Sequence, residues 1–140
     1  EFMPLDGDGT WSPEQVVPET EILDRASAAG ALRPAPEPDG SSPARRWIFA
    51  DGAGEVGVIA SVSRPFCAAC DRIRIAADGT FRTCLFAHRG TGLRDLLRGG
   101  AADAEIAAAL AGAVGEKGPG HLIGRPGFRR PERAMNVLGG

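Results

Sequence analysis

Two alternating runs, Arg72-Ile73-Arg74-Ile75 and Thr80-Phe81-Arg82, flank the dipeptide Asp78-Gly79. An Asp-Gly pair between such runs is a strong local hairpin signal, because glycine takes the positive φ the turn needs at no steric cost. The chain is therefore expected to double back at residue 78. That one reversal governs its chemistry, since Cys67, Cys70 and Cys84 are the only cysteines and they bracket the hairpin. Cys84 is expected on the return strand, carried back toward the loop of Cys67 and Cys70. A thirteen-residue spacer can then set three sulfurs around one centre.

The rest of the chain breaks into short pieces, because 20 glycines and 11 prolines punctuate it. Glu1-Phe2-Met3-Pro4-Leu5 is apolar enough for a strand, with Pro4 confining it to an edge or an end. Ser12-Pro13-Glu14-Gln15 has the pattern of a capped helix start. Helix is expected over 19–29, with Ile22, Leu23 and Ala26 on one face and Gly30 as the stop. Residues 33–44 are rich in Pro and Ser and read as an exposed loop. Trp47–Phe49 and Val56–Ile59 form a second hairpin around 51–54. Gly92–Arg98 is a short helix stopped by Gly99-Gly100. Residues 102–114 are an Ala-rich helix with Ile106, Leu110 and Val114 aligned. The fold class this describes is α+β, small antiparallel hairpins with short helices. At 140 residues the length suits one domain.

Charge is unevenly spread. Residues 1–40 hold nine acids against two arginines, whereas residues 64–98 hold seven arginines against three aspartates. The basic stretch coincides with the cysteines, which suits a small anionic ligand or a solvated basic face. Lys117 is the sole lysine, so arginine is used almost everywhere and its identity counts for less than its charge. No apolar run approaches the roughly 20 residues that cross a bilayer, and no export signal opens the chain. An odd cysteine count argues against a disulfide framework. A reducing, cytoplasmic home is expected, with neither membrane nor nucleic acid as partner.

Thiolates ligate soft metals and iron–sulfur clusters. With His88 the spacing is C-x2-C-x13-C-x3-H, a full zinc set for a non-catalytic interaction module. Without it, three cysteines hold three irons of a cubane and leave the fourth iron open. Spacing alone serves both. A redox C-x-x-C suits a helix start better than a hairpin, and incidental cysteines would not gather so closely. Arg72 and Arg74, at i and i+2, share a strand face. They form either a clamp for phosphate or carboxylate or the solvated side of an amphipathic strand, and Arg82 on the partner strand joins either role. Thr91 in Gly90-Thr91-Gly92 reads as a helix cap, and the arginines from Arg125 onward as a solvated tail.

The run Cys67-Ala-Ala-Cys70-Asp-Arg72-Ile-Arg74, with Asp78-Gly79 and Cys84 after it, resembles the C-terminal cluster motif of the GTP 3′,8-cyclase family, molybdenum cofactor biosynthesis protein A. Glu1–Trp11 is similar to that family's mid-chain strand and turn. Residues 130–140 are similar to its Arg-Pro stretch and double-glycine tail. The resemblance spans nearly the whole chain and favours a piece of a longer protein, rather than a cloning scar, as the origin of Glu1-Phe2 ahead of Met3.

The resemblance implies a radical enzyme that turns GTP into (8S)-3′,8-cyclo-7,8-dihydroguanosine 5′-triphosphate, a lyase step in molybdopterin synthesis. It implies a three-Cys 4Fe–4S cluster on Cys67, Cys70 and Cys84 whose open iron takes GTP, and it sets His88 aside as a ligand. Arg72, Arg74, Gly139 and Gly140 would contact GTP. Residues 1–11 would be a last barrel-type strand and turn, 12–114 the molybdenum cofactor synthesis C-terminal domain, and 115–140 the tail. Together they would cap an incomplete TIM-like radical S-adenosylmethionine barrel, in a protein that is a homodimer. The sequence departs from the family in having no C-x3-C-x2-C motif. S-adenosylmethionine and a second 4Fe–4S cluster would therefore belong to an N-terminal barrel outside this chain, without which the chain is expected to be inactive.

Overall fold

A computed structural model of the chain describes residues 1–4, 9–36 and 41–132. Gly139 and Gly140 lie outside the described residues. Length suggests one domain, but the contacts divide the chain into two compact units that part between Asp71 and Arg72. Unit 1 takes Glu1–Pro4 and Thr10–Asp71, and unit 2 takes Leu5–Gly9 and Arg72–Gly140.

Unit 1 is a three-stranded antiparallel sheet with one helix. Helix α1 spans Glu19–Ser27, two residues shorter than the 19–29 expected. Strands β2 (Arg45–Phe49) and β3 (Glu55–Val58) form the expected hairpin. Its turn uses Gly52 at φ +77° and an Asp51 carboxylate that accepts from Ala53 N–H at 2.9 Å. The third strand, β1 (Leu32–Pro34), pairs with β2 on its other side. It begins one residue before the segment read as loop and runs into it. Proline is tolerated because β1 is an edge, where a missing N–H breaks no ladder bond. Residues 1–4 form no strand; Pro4 is fully buried. The core gathers Trp47, Val58, Ala35 and Ala60. Over Trp47 lies the Arg45 guanidinium, 5.0 Å from the ring centroid. It is ion-paired at 3.1 Å with Glu19, which is itself buried. Burying that carboxylate is tolerable because its charge is matched on the spot.

Unit 2 is a second antiparallel three-stranded sheet with two helices. Strand β4 (Arg74–Ile75) turns into β5 (Thr80–Arg82), which pairs with β6 (Thr91–Gly92). The expected hairpin is there, with one refinement. Only Gly79 has positive φ, at +79°, while Asp78 does not. Gly79 N–H donates to Ala76 O at 2.8 Å, and Asp78 Oδ1 accepts from Thr80 N–H at 2.9 Å. This is a three-residue turn closed by a left-handed glycine rather than a two-residue turn. Helix α2 (Leu93–Arg98) starts against it, and a Cβ on Gly79 would meet Arg94 Cβ at 2.5 Å. Helix α3 (Asp103–Gly115) packs on α2 and β6. Ile106 and Leu110 are half-buried on it, but Val114 is exposed. Phe81, Phe86, Leu93 and Ile123 make the core, with Phe86 stacked at a tilt on His121 and Phe128.

Candidate metal and anion site

In unit 1, Cys67–Ala69 winds as a single 3-10 turn, and Cys70 N–H donates back to Cys67 O at 3.2 Å. With three residues per turn, positions i and i+3 eclipse. The C-x2-C spacing therefore places both thiols on one side of the turn. Both are half-buried and outside any disulfide.

In unit 2, Cys84 stands two residues past the end of β5, in a turn closed by Ala87 N–H donating to Cys84 O at 3.1 Å. It was expected on the return strand. The strand stops at Arg82 because the chain must bend here to deliver Phe86 into the core. The Phe86 N–H points at the Cys84 sulfur, 3.4 Å away. No sequence signal marked that donor. Arg82 also closes the turn, since its Nη1 donates to Ala87 O.

Arg72 and Arg74 are half-buried, whereas Ile73 is 55% and Ile75 64% exposed. The alternation is the expected one, with the arginines its less exposed members, although Phe81, which pairs with Ile75, is a core residue. Across the ladder Arg74 stands opposite Arg82. The Arg72 carbonyl accepts from Lys117 Nζ at 3.2 Å, a tie the sequence did not suggest because Lys117 lies 45 residues away. A cavity of about 460 Å³ opens beside this part of unit 2. Arg82, Cys84, Phe86, Arg89 and Glu116 are among the residues lining it.

His88 is exposed, just beyond the Cys84 turn. Among the described residues no group of three or more His, Cys, Asp and Glu is gathered to hold a metal ion, so the Cys3His zinc set has no support, and the expected gathering of Cys67, Cys70 and Cys84 around one centre is not seen either. The donor chemistry on each unit nonetheless suits an iron–sulfur cluster: half-buried thiols outside any disulfide, two at the ends of one turn and one receiving an N–H.

Comparison with known proteins adds to this geometry. The family model described as Molybdenum Cofactor Synthesis C matches residues 1–123. The chain is 49% identical over 144 residues to a GTP 3′,8-cyclase of Mycolicibacterium smegmatis, covering 100% of this chain and 40% of that protein. It is 46% identical over 145 residues to a GTP 3′,8-cyclase of Corynebacterium glutamicum, covering 100% of this chain and 38% of that one. The chain thus spans about 40% of the length of the curated relatives it matches. Among the described residues no helix is long and apolar enough to cross a membrane.

Proposed function

Because the chain belongs to the Molybdenum Cofactor Synthesis C family, we propose that it is the iron–sulfur and nucleotide-holding portion of a GTP 3′,8-cyclase acting in molybdenum cofactor biosynthesis. The observation that carries this reading is that Arg72 and Arg74 are half-buried at i and i+2 while Ile73 and Ile75 are exposed. Two guanidiniums on one face suit a multiply charged anion. A nucleotide triphosphate is such an anion.

Cys67, Cys70 and Cys84 would hold a 4Fe–4S cluster, which when bound supplies a Lewis-acidic iron for a ring nitrogen of the purine. The chain's own residues do the rest. Arg72 and Arg74 take the triphosphate, and Phe86 N–H donates to the Cys84 sulfur. Orientation then comes from both ends of the substrate. Gly139 and Gly140 would reach the nucleotide from the tail. The S-adenosylmethionine-cleaving barrel belongs to a segment or chain beyond these residues. Without it this chain starts no reaction. The assembled enzyme is a cytoplasmic homodimer.

Anaerobic reconstitution with iron and sulfide, followed by iron analysis and GTP binding, tests the proposal. We expect iron to be lost on Cys84→Ala. The double variant Arg72→Ala, Arg74→Ala should keep its iron and bind GTP at least tenfold more weakly, at about 1.5–3 kcal/mol per charged hydrogen bond. Unchanged GTP affinity in the double variant removes those arginines from the site.

A further inference from the structure

We propose that Arg82 is a third anion-binding arginine, which takes phosphate oxygens of the nucleotide together with Arg74. This rests on the nucleotide reading above and adds to it a residue on a different strand.

Three observations support it. First, Arg74 and Arg82 are direct partners in the β4–β5 register. Directly opposed residues of an antiparallel pair project to the same side, with Cβ atoms roughly 4.5–5.5 Å apart. Like charges in that position repel, and no carboxylate among the described residues is ion-paired with either one. The pairing costs stability unless something anionic lies between or beside the two groups.

Second, the Arg82 guanidinium is half satisfied. One terminal nitrogen is anchored on Ala87 O, but Nε is buried with no hydrogen-bond partner. A buried, unsatisfied N–H on a cation is costly, and a fork with one donor pinned and one unused is preorganised for an oxygen ligand. Third, Arg82 lines the cavity of about 460 Å³ that Cys84, Arg89 and Glu116 also line, while Arg74 is outside that lining. That volume falls within the range of small-ligand sites. The ligand chemistry the arrangement selects is a polyphosphate, multiply charged and rich in acceptor oxygens.

The alternative role for Arg82 is purely to clasp the turn that carries Cys84. Arg82→Gln separates the two, because its amide can still donate to Ala87 O but carries no charge. Arg82→Lys keeps charge without the fork. Inorganic triphosphate is the probe, titrated calorimetrically into the reconstituted chain and each variant, with iron content measured in parallel. We expect Arg82→Gln to weaken triphosphate binding about tenfold or more with iron unchanged. Arg82→Lys should fall between that variant and the parent, and raising salt should shrink all the differences. Triphosphate affinity unaltered in Arg82→Gln overturns the proposal, as does loss of iron in step with affinity, which would make Arg82 a clasp. A parent chain that binds triphosphate through Arg82 but shows no preference for GTP over it would fail the nucleotide reading and leave the anion site standing.

Discussion

The ammonium of Lys117, just beyond the end of α3, donates to the main-chain carbonyl of Arg72 at 3.2 Å. One charged hydrogen bond thus ties the start of the arginine run to the far helix of its own unit. Lys117→Met keeps most of the stem and removes the donor, leaving a part-buried carbonyl short of a partner. Charged hydrogen bonds contribute about 1.5–3 kcal/mol, and we expect a stability loss toward the lower end of that range. The arginines would also lose their fixed position, so GTP affinity should drop several-fold while iron content holds. Denaturant melts and titrations on the same preparations check both. A stability loss with unchanged affinity would make Lys117 structural only.

Gly90 is a packing requirement rather than a conformational one. A Cβ there would stand 2.4 Å from Thr80 Cγ2 and 2.7 Å from Phe81 O. A main-chain oxygen cannot swing aside, so Gly90→Ala must push β6 off β5. Overpacking of this kind costs about 1–3 kcal/mol. In a unit this small each kcal/mol lowers Tm by roughly 4–8 °C. Gly112→Ala, on α3 with open space around it, should be neutral or slightly stabilising. Thermal melts of the pair separate steric from helix-propensity effects.

The hairpin at 74–82 and helices α1–α3 were legible because their signals are local: a turn dipeptide, caps and a 3.6-residue period. What escaped was relational. An alternating run states which residues share a face, and Arg72 and Arg74 do. It does not say how exposed each face is, and here the isoleucines are more exposed than the arginines. Strand β1 was hidden by Pro34, since proline reads as loop until an edge position is known. Cys84 slipped off its strand because Phe86, two residues on, is needed in the core, and tertiary packing overrode the alternation. The division at Asp71–Arg72 left no mark in composition. It falls directly after Cys70 and sets the cysteine pair and the third cysteine on different units, which no spacing argument reveals.

The Glu1 carboxylate gives unit 1 an acid-sensitive seam. Burial opposes its ionisation, but the Ser63 hydroxyl and the N–H groups of Ser63, Val62 and Glu19 all donate to it and together hold it below the ordinary value of 4.5. Val62 and Ser63 N–H lie at 2.7 Å and Glu19 N–H at 3.0 Å. A carboxyl whose folded pKa is depressed stabilises fully above its unfolded pKa. That contribution fades as pH falls through the folded value. Stability measured from pH 7 downward should therefore hold until about 4.5 and then decline. In Glu1→Gln it should start lower and decline less over the acid range. Identical acid limbs in the two proteins would mean the hydrogen bonds contribute nothing.

Metal selectivity follows from where the donors sit. His88 is exposed beyond the Cys84 turn, while Cys84 receives the Phe86 N–H and lines the cavity. An imidazole in solvent holds a metal only if the neighbouring chain folds around it, and the three thiols together suit an iron–sulfur cluster without it. We therefore expect His88→Ala to retain iron after anaerobic reconstitution, with the parent's brown absorbance. Cys67→Ala, Cys70→Ala and Cys84→Ala should each lose most of both. If the proposed open iron takes the substrate, GTP should perturb the electron paramagnetic resonance spectrum of the reduced parent and of His88→Ala alike. A zinc ion recovered from the parent, lost in His88→Ala and kept in Cys84→Ala, would replace the cluster with a structural zinc centre. That outcome would return the chain to the class of interaction modules.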